Sequence, residues 1–212
     1  MERATALKWT ATLAALAALV LPGRARPIIG LLDPIEPQTT AARPRGGAGE
    51  ADFRRWAERL VGNWECRIRE YDGVREEPVW EARQRRTFTL VLQGRFVEEA
   101  AYVFDASGWV QAGLQLISFE EATGRVLESG FWSDSPGRLF AVEGTLRTGS
   151  GRGERADRID GTMTLRTDLG SVEKRRVAIV FEGADRHLYR VFRQRPDGSE
   201  YLHEELLYTR LG

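Results

Sequence analysis

Cysteine, histidine and methionine are scarce in this chain, and net charge is absent. Among 212 residues there is one cysteine, Cys66, and there are two histidines, His187 and His203, and two methionines. A single thiol excludes an internal disulfide and any thiolate zinc cluster. Two imidazoles exclude a multi-histidine metal centre, so no metal is expected. The 31 basic residues are matched by 31 acidic ones. That balance excludes the basic excess a nucleic-acid binder needs. Long apolar runs are also missing. The longest, Trp9–Leu21, has 13 mostly apolar residues, too few to cross a bilayer as a helix. There is no Gly-x-Ser-x-Gly elbow either, which removes the commonest sequence sign of a serine hydrolase.

What the chain does contain is enough apolar material, 42% of residues, for a single packed domain. Its first 25 residues have the layout of an export signal. Arg3 and Lys8 precede the apolar run, and Gly23-Arg24-Ala25 supplies a small-x-small cleavage site. The expectation is a periplasmic or secreted protein with no membrane span once the signal is cleaved. Residues 26–50 read as a linker, with Pro27, Pro34, Pro37 and Pro44 followed by Gly46-Gly47-Ala48-Gly49. Residues 51–212 are then the folded domain.

That domain opens on a helical pattern. Phe53, Trp56, Ala57 and Leu60 recur at helical spacing, with Asp52 as a candidate N-cap and Gly62 as the stop. From there the period changes to two. Trp64, Cys66 and Ile68 alternate with charged residues, which hides the thiol on an inner face. Further strands recur at steps of about ten residues. Phe88, Leu90 and Leu92 mark one, and Gln93-Gly94 turns it into Arg95–Phe104. Others fit Trp109–Phe119, Arg125–Ser133, Arg138–Arg147, Arg158–Thr167, Val172–Glu182, His187–Gln194 and Tyr201–Arg210. Their turns include Ser135-Pro136-Gly137, and Thr148–Asp157 is a polar loop. The pattern predicts an all-β fold: about ten antiparallel strands in an up-and-down meander, closed into a barrel to remove its edges. The helix caps one end. An open sheet or a two-sheet sandwich with a filled core is the alternative.

Gly62-Asn63-Trp64 at the entry to the first strand, with Arg210 on the last, resembles the lipocalin signature. That resemblance implies that Trp64 closes the barrel end beneath a stacked Arg210. A second set of residues is more specific. Gly94-Arg95-Phe96-Val97, Gly113, Ser118-Phe119, Thr123-Gly124-Arg125 and Trp132-Ser133-Asp134-Ser135 resemble a bacterial calycin-like family known only as a domain of unknown function. The resemblance covers residues 55–210. It implies a barrel of the lipocalin and nitrobindin kind with an internal cavity, and it carries over no catalytic residue.

Tyr102, Trp132, Met163, Tyr189 and His203 are the candidates to line that cavity, and a small, mostly apolar molecule is the expected ligand. Nitrobindins ligate haem through a C-terminal histidine, which makes His203 the one axial candidate. The chain lacks the glycines of the nitrobindin Gly-x-Trp-x-Gly-x-Gly opening, so no cofactor is expected. Strand register puts His187 about 13 Å from His203, beyond a shared metal shell. The neighbouring acids Glu98-Glu99, Glu120-Glu121 and Glu204-Glu205 face opposite ways on a strand, so none is a ready-made dyad. One inward member, Glu98 or Glu204, would need an arginine partner. The leading reading is an exported binding module with no catalytic residue. The alternative is an isomerase- or cyclase-like enzyme on a lipid-like substrate, using an inward carboxylate. A solid barrel acting through its surface is the third.

Overall fold

The computed structural model describes residues 48–133, 139–149, 157–166 and 172–212. The export signal, all but the end of the linker, and the turn at Asp134–Gly137 lie outside these residues.

Helix α1 (Glu50–Leu60) buries Phe53, Trp56, Ala57 and Leu60, the four residues at helical spacing. Its cap differs from the expected one. Gly49 is the N-cap, and Asp52 sits at the third helical position, where its carboxylate accepts the Gly49 N–H at 2.8 Å. An acid one turn inside the helix still meets the free amides and the positive end of the dipole, so it caps from there.

Ten strands follow among the described residues: β1 (Gly62–Glu70), β2 (Trp80–Val91), β3 (Phe96–Asp105), β4 (Gly108–Glu120), β5 (Arg125–Trp132), β6 (Leu139–Arg147), β7 (Arg158–Arg166), β8 (Val172–Phe181), β9 (Arg186–Gln194) and β10 (Glu200–Arg210). Each pairs antiparallel with its neighbours in sequence, and β1 pairs with β10 to close the barrel. The fold is therefore an all-β, ten-stranded up-and-down barrel with one short N-terminal helix.

Two details depart from the alternation pattern. Leu92 does not continue the inner face of Phe88 and Leu90. It enters a 3-10 turn (Leu92–Gly94) in which Leu92, Gln93 and Gly94 have φ of 50°, 62° and 79°, and it is 68% exposed. Three left-handed residues reverse the chain, and the leucine leaves the ladder with them. Strand β2 also starts earlier than its apolar pattern suggests. Its inner positions before Phe88 are Gln84 and Arg86, polar residues that hide the period of two.

The two ends of the barrel are packed differently. At the α1 end Phe53, Trp56 and Leu60 insert among Trp64, Phe88, Leu146, Ile159 and Phe181 and leave it solid. Trp64 Nε1 donates to the Leu60 carbonyl at 2.7 Å, tying β1 to the helix. Phe140, Val142, Met163, Val177 and Val191 form a second apolar wall nearer the other end. No helix among the described residues is long and apolar enough to cross a membrane.

Candidate functional site

The far half of the barrel, away from α1, encloses a cavity of about 300 Å³. Ile68, Phe140, Met163, Leu165, Val191 and Leu206 supply apolar wall, with Trp132, Tyr189 and Tyr208 as aromatic panels. Trp80, 49% exposed, and Leu139, 61% exposed, stand at the starts of β2 and β6 where the cavity meets solvent. The volume falls at the low end of the usual range for small-molecule sites, and the apolar wall is interrupted by seven charged or amide side chains, Glu70, Gln84 and Arg175 among them.

The polar groups converge on its floor. Arg86 comes from β2 with its side chain fully buried, and Nη1 donates to Glu99 Oε1 of β3. The Tyr208 hydroxyl donates to the same oxygen at 3.2 Å. The guanidinium carbon lies 4.5 Å from the Trp132 ring centre and 5.9 Å from that of Tyr208. Gly113, opposite Trp132 in the β4–β5 ladder, makes this stacking possible. A Cβ there would come within 2.6 Å of the indole. With its amide turned to suit its neighbours, Gln115 donates to Glu99 Oε2 at 3.1 Å and to Glu128 Oε1 at 2.5 Å.

Burial and the nearby Glu99 charge push the Glu128 carboxyl up to about 8, so it is mostly neutral at physiological pH. Burial and Glu70 likewise raise Glu204, on the β10 wall. Burial, with Glu128 close by, holds the Tyr189 phenol well above its ordinary range. The floor is thus one ion pair beside a mostly neutral Glu128 and two phenols. It can orient a polar atom, and Glu128 can hold or give up a proton there.

Three of the residues expected to line the cavity do so: Trp132, Met163 and Tyr189. Tyr102 is not among its lining residues, because its parity on β3 is opposite to that of the inward Val97, Glu99 and Ala101, and it pairs with the exposed Arg85. His203 is not among them either. The β9–β10 register shifts between Leu202 and Glu204, leaving His203 as the extra residue, with its Nδ1 3.3 Å from the Tyr71 carbonyl oxygen. Of the acid pairs, Glu99 rather than Glu98 is the inward, arginine-paired member on β3, and Glu204 faces the cavity on β10. Glu205 packs outside against Arg190 at 2.8 Å and Arg69 at 3.9 Å.

Arg86, Gln115 and Glu128 escaped the sequence reading, which looked for paired acids and aromatics. Their signal was parity: Arg86 shares a face with Phe88, Gln115 with Ile117 and Glu128 with Val126. A polar residue on an apolar face was the mark to follow.

At the solid end Gly62, Trp64 and Arg210 come together. The Arg210 guanidinium carbon lies 4.2 Å from the Trp64 ring centre, and its nitrogens donate to the Val61 carbonyl at 2.7 Å and the Arg59 carbonyl at 2.5 Å. Gly62 has φ of +131°, and a Cβ there would meet Arg210 Nη1 at 2.7 Å. His187 is sealed in the same layer, stacked on Tyr208 at 4.0 Å and edge-on to Trp64 at 4.6 Å. Burial, with Arg210, Arg59 and Arg86 nearby, lowers its pKa to about 3. Cys66 is buried beside these groups, and burial pushes its thiol up to about 12. No group of three or more His, Cys, Asp or Glu among the described residues is placed to hold a metal ion.

A family model described as "Protein of unknown function (DUF1579)" matches residues 50–210. No curated protein matches the chain. Among solved structures, Rv2717c from M. tuberculosis is similar at 13% identity and a TM-score of 0.51, over 74% of this chain and 96% of that one. This likeness is one of fold. A redesigned beta barrel is also similar over 74% of this chain and 95% of its own, at 13% identity, but its TM-score of 0.31 carries no argument.

Proposed function

The chain belongs to the DUF1579 family, whose description assigns no activity, and from its own cavity we propose that it binds a small, mostly apolar molecule inside the barrel. The observation that supports this most is the asymmetry of the interior. One end is filled by α1, while the other holds about 300 Å³ of space behind walls that are part apolar and aromatic and part polar. Empty apolar volume costs stability, and a barrel that only needed a core would fill it. The Arg210–Trp64 stack over Gly62 supports grouping the chain with lipocalin-like barrels. The signal-like residues 1–25 support a site of action in the periplasm or outside the cell. The reading involves no haem. His203 is not among the cavity's lining residues, and His187 is covered by Tyr208 and Trp64.

The test is native mass spectrometry with an absorption spectrum on the protein as isolated. A co-purified mass the size of a small lipid supports the reading and names the ligand class. A clean apo mass, with no probe binding in solution, overturns it. A Soret band would replace it with a haem protein.

Glu128 favours a second reading, an isomerase- or cyclase-like enzyme. A buried carboxyl raised to about 8 in a ligand-sized cavity can shuttle a proton on a lipid-like substrate. Incubation separates the two readings. A binding protein returns its ligand unchanged, whereas an enzyme returns an isomer, and Glu128→Gln abolishes that conversion without abolishing binding.

A further inference from the structure

Arg86 is only half used by the protein. Its Nη1 is bonded to Glu99, yet Nε and Nη2 are buried and have no partner. Those two nitrogens form one side edge of the planar guanidinium, with parallel N–H bonds spaced to meet the two oxygens of a carboxylate. Buried charged donors without acceptors are rare, because their lost hydration is not replaced. The ring of Trp132 and the Glu99 bond hold the guanidinium in place, so its free edge has a set direction.

We propose that Arg86 recognises the anionic end of the ligand, and that the ligand is an amphipathic carboxylate: one carboxylate head on a compact apolar body. This rests on the cavity-binding reading above and deepens it. The balance of orphaned groups agrees. Arg86 Nε and Nη2 lack partners on the cavity walls, against one orphaned acceptor there, Gln84 Oε1. The charge balance bears on it as well. Glu99 cancels Arg86, and burial keeps Glu128 mostly protonated and raises Glu204, while Glu70 is a further acid on the cavity lining. Arg175 also lines the cavity and adds positive potential, though Glu173 already holds it at 2.8 Å.

The proposal predicts a pH dependence. Glu128 faces Glu99 and Arg86 together with Tyr189 and Gln115. Above about 8 it ionises and repels a bound carboxylate, whereas a neutral ligand is indifferent to that step. Carboxylate affinity should fall as pH passes from 7 to 9, and Glu128→Gln should flatten the fall.

The experiment titrates the full-length protein with decanoate, decanol and decylamine by calorimetry at pH 7. Decanoate should bind about tenfold or more tighter than either of the others, the worth of a charge-assisted bidentate pair. Arg86→Lys keeps a cation for Glu99 but loses the fork. It should lose most of the decanoate preference while decanol affinity stays the same. Lys is shorter than Arg and lacks its planar stack on Trp132, so a second variant is needed: Arg86→Met/Glu99→Gln removes both charges together and should abolish the preference. Equal affinity for all three probes, or an undiminished decanoate preference in both variants, overturns the carboxylate assignment and leaves cavity binding standing. No binding of any probe, together with a clean apo mass for the protein as isolated, overturns both.

Discussion

Glu128 is a carboxyl that burial pushes far from its ordinary range, and its titration is open to measurement. Its carboxyl ionises near about 8 in the folded protein and near 4.5 when the chain unfolds. Between those values the native state holds the extra proton, so stability declines as pH rises. His187 acts in the opposite sense. Its pKa falls from 6.5 to about 3 on burial, so the unfolded chain takes up its proton and stability declines as pH drops through that window. The two slopes oppose each other between about 4.5 and 6.5, and above 6.5 Glu128 continues to act, with Glu204, also raised by burial, acting in the same sense. Denaturant unfolding at pH 6.5 and 8 should show the wild type losing stability with a slope of up to about 1.4 kcal/mol per pH unit. Glu128→Gln keeps the acceptor for Gln115 and should remove most of that slope. Parallel slopes in both proteins would mean that the carboxyl is already ionised. Parity along β5 shows that Glu128 faces inward. Its partners do not follow from parity, because Gln115 and Glu99 reach it across neighbouring strands.

Among the elements, the joint between α1, β1 and β10 carries the closed end. Trp64 is fully buried, bonded through Nε1 to Leu60, and covered by Arg210 on one side and His187 on another. Trp64→Ala removes the centre of that joint and should cost about 3–5 kcal/mol in denaturant unfolding. A loss below about 1 kcal/mol would show that the end closes without it. The helix and this joint were legible in the chain because their cues are local: helical spacing in Phe53–Leu60, then Gly62 and Trp64 two residues apart. The bulges in β4 and β10 were not. A bulge inserts one residue where the partner strand requires it, and that partner lies elsewhere in the sequence. His203 is the extra residue on β10, whereas Tyr102 sits on the outward parity of β3, and both are absent from the cavity wall.

For the whole molecule, closure is the property every site depends on. The β1–β10 ladder runs from Trp64↔Arg210 to Glu70↔Glu204 and joins the two ends of the domain. Leu207 lies within it, opposite Arg67 on β1 and Leu188 on β9. Leu207→Pro removes a ladder donor at this seam and should yield insoluble or unfolded protein, since an opened ten-strand sheet exposes two long edges. Soluble protein with native circular dichroism would show that the barrel tolerates an open seam.

The order of elements, the antiparallel meander and the filled helix end were determined by the sequence alone, because periods of 3.6 and 2 and short turns act within a few residues of each other. The tertiary structure decided the cavity and its floor. Arg86, Glu99, Gln115, Glu128 and Tyr208 sit on five different strands, and only the barrel's register brings them together. Whether an inward polar residue is paired, neutral or left with a free edge depends on what lies across the interior. That is a matter of distance in space, which no spacing along the chain encodes.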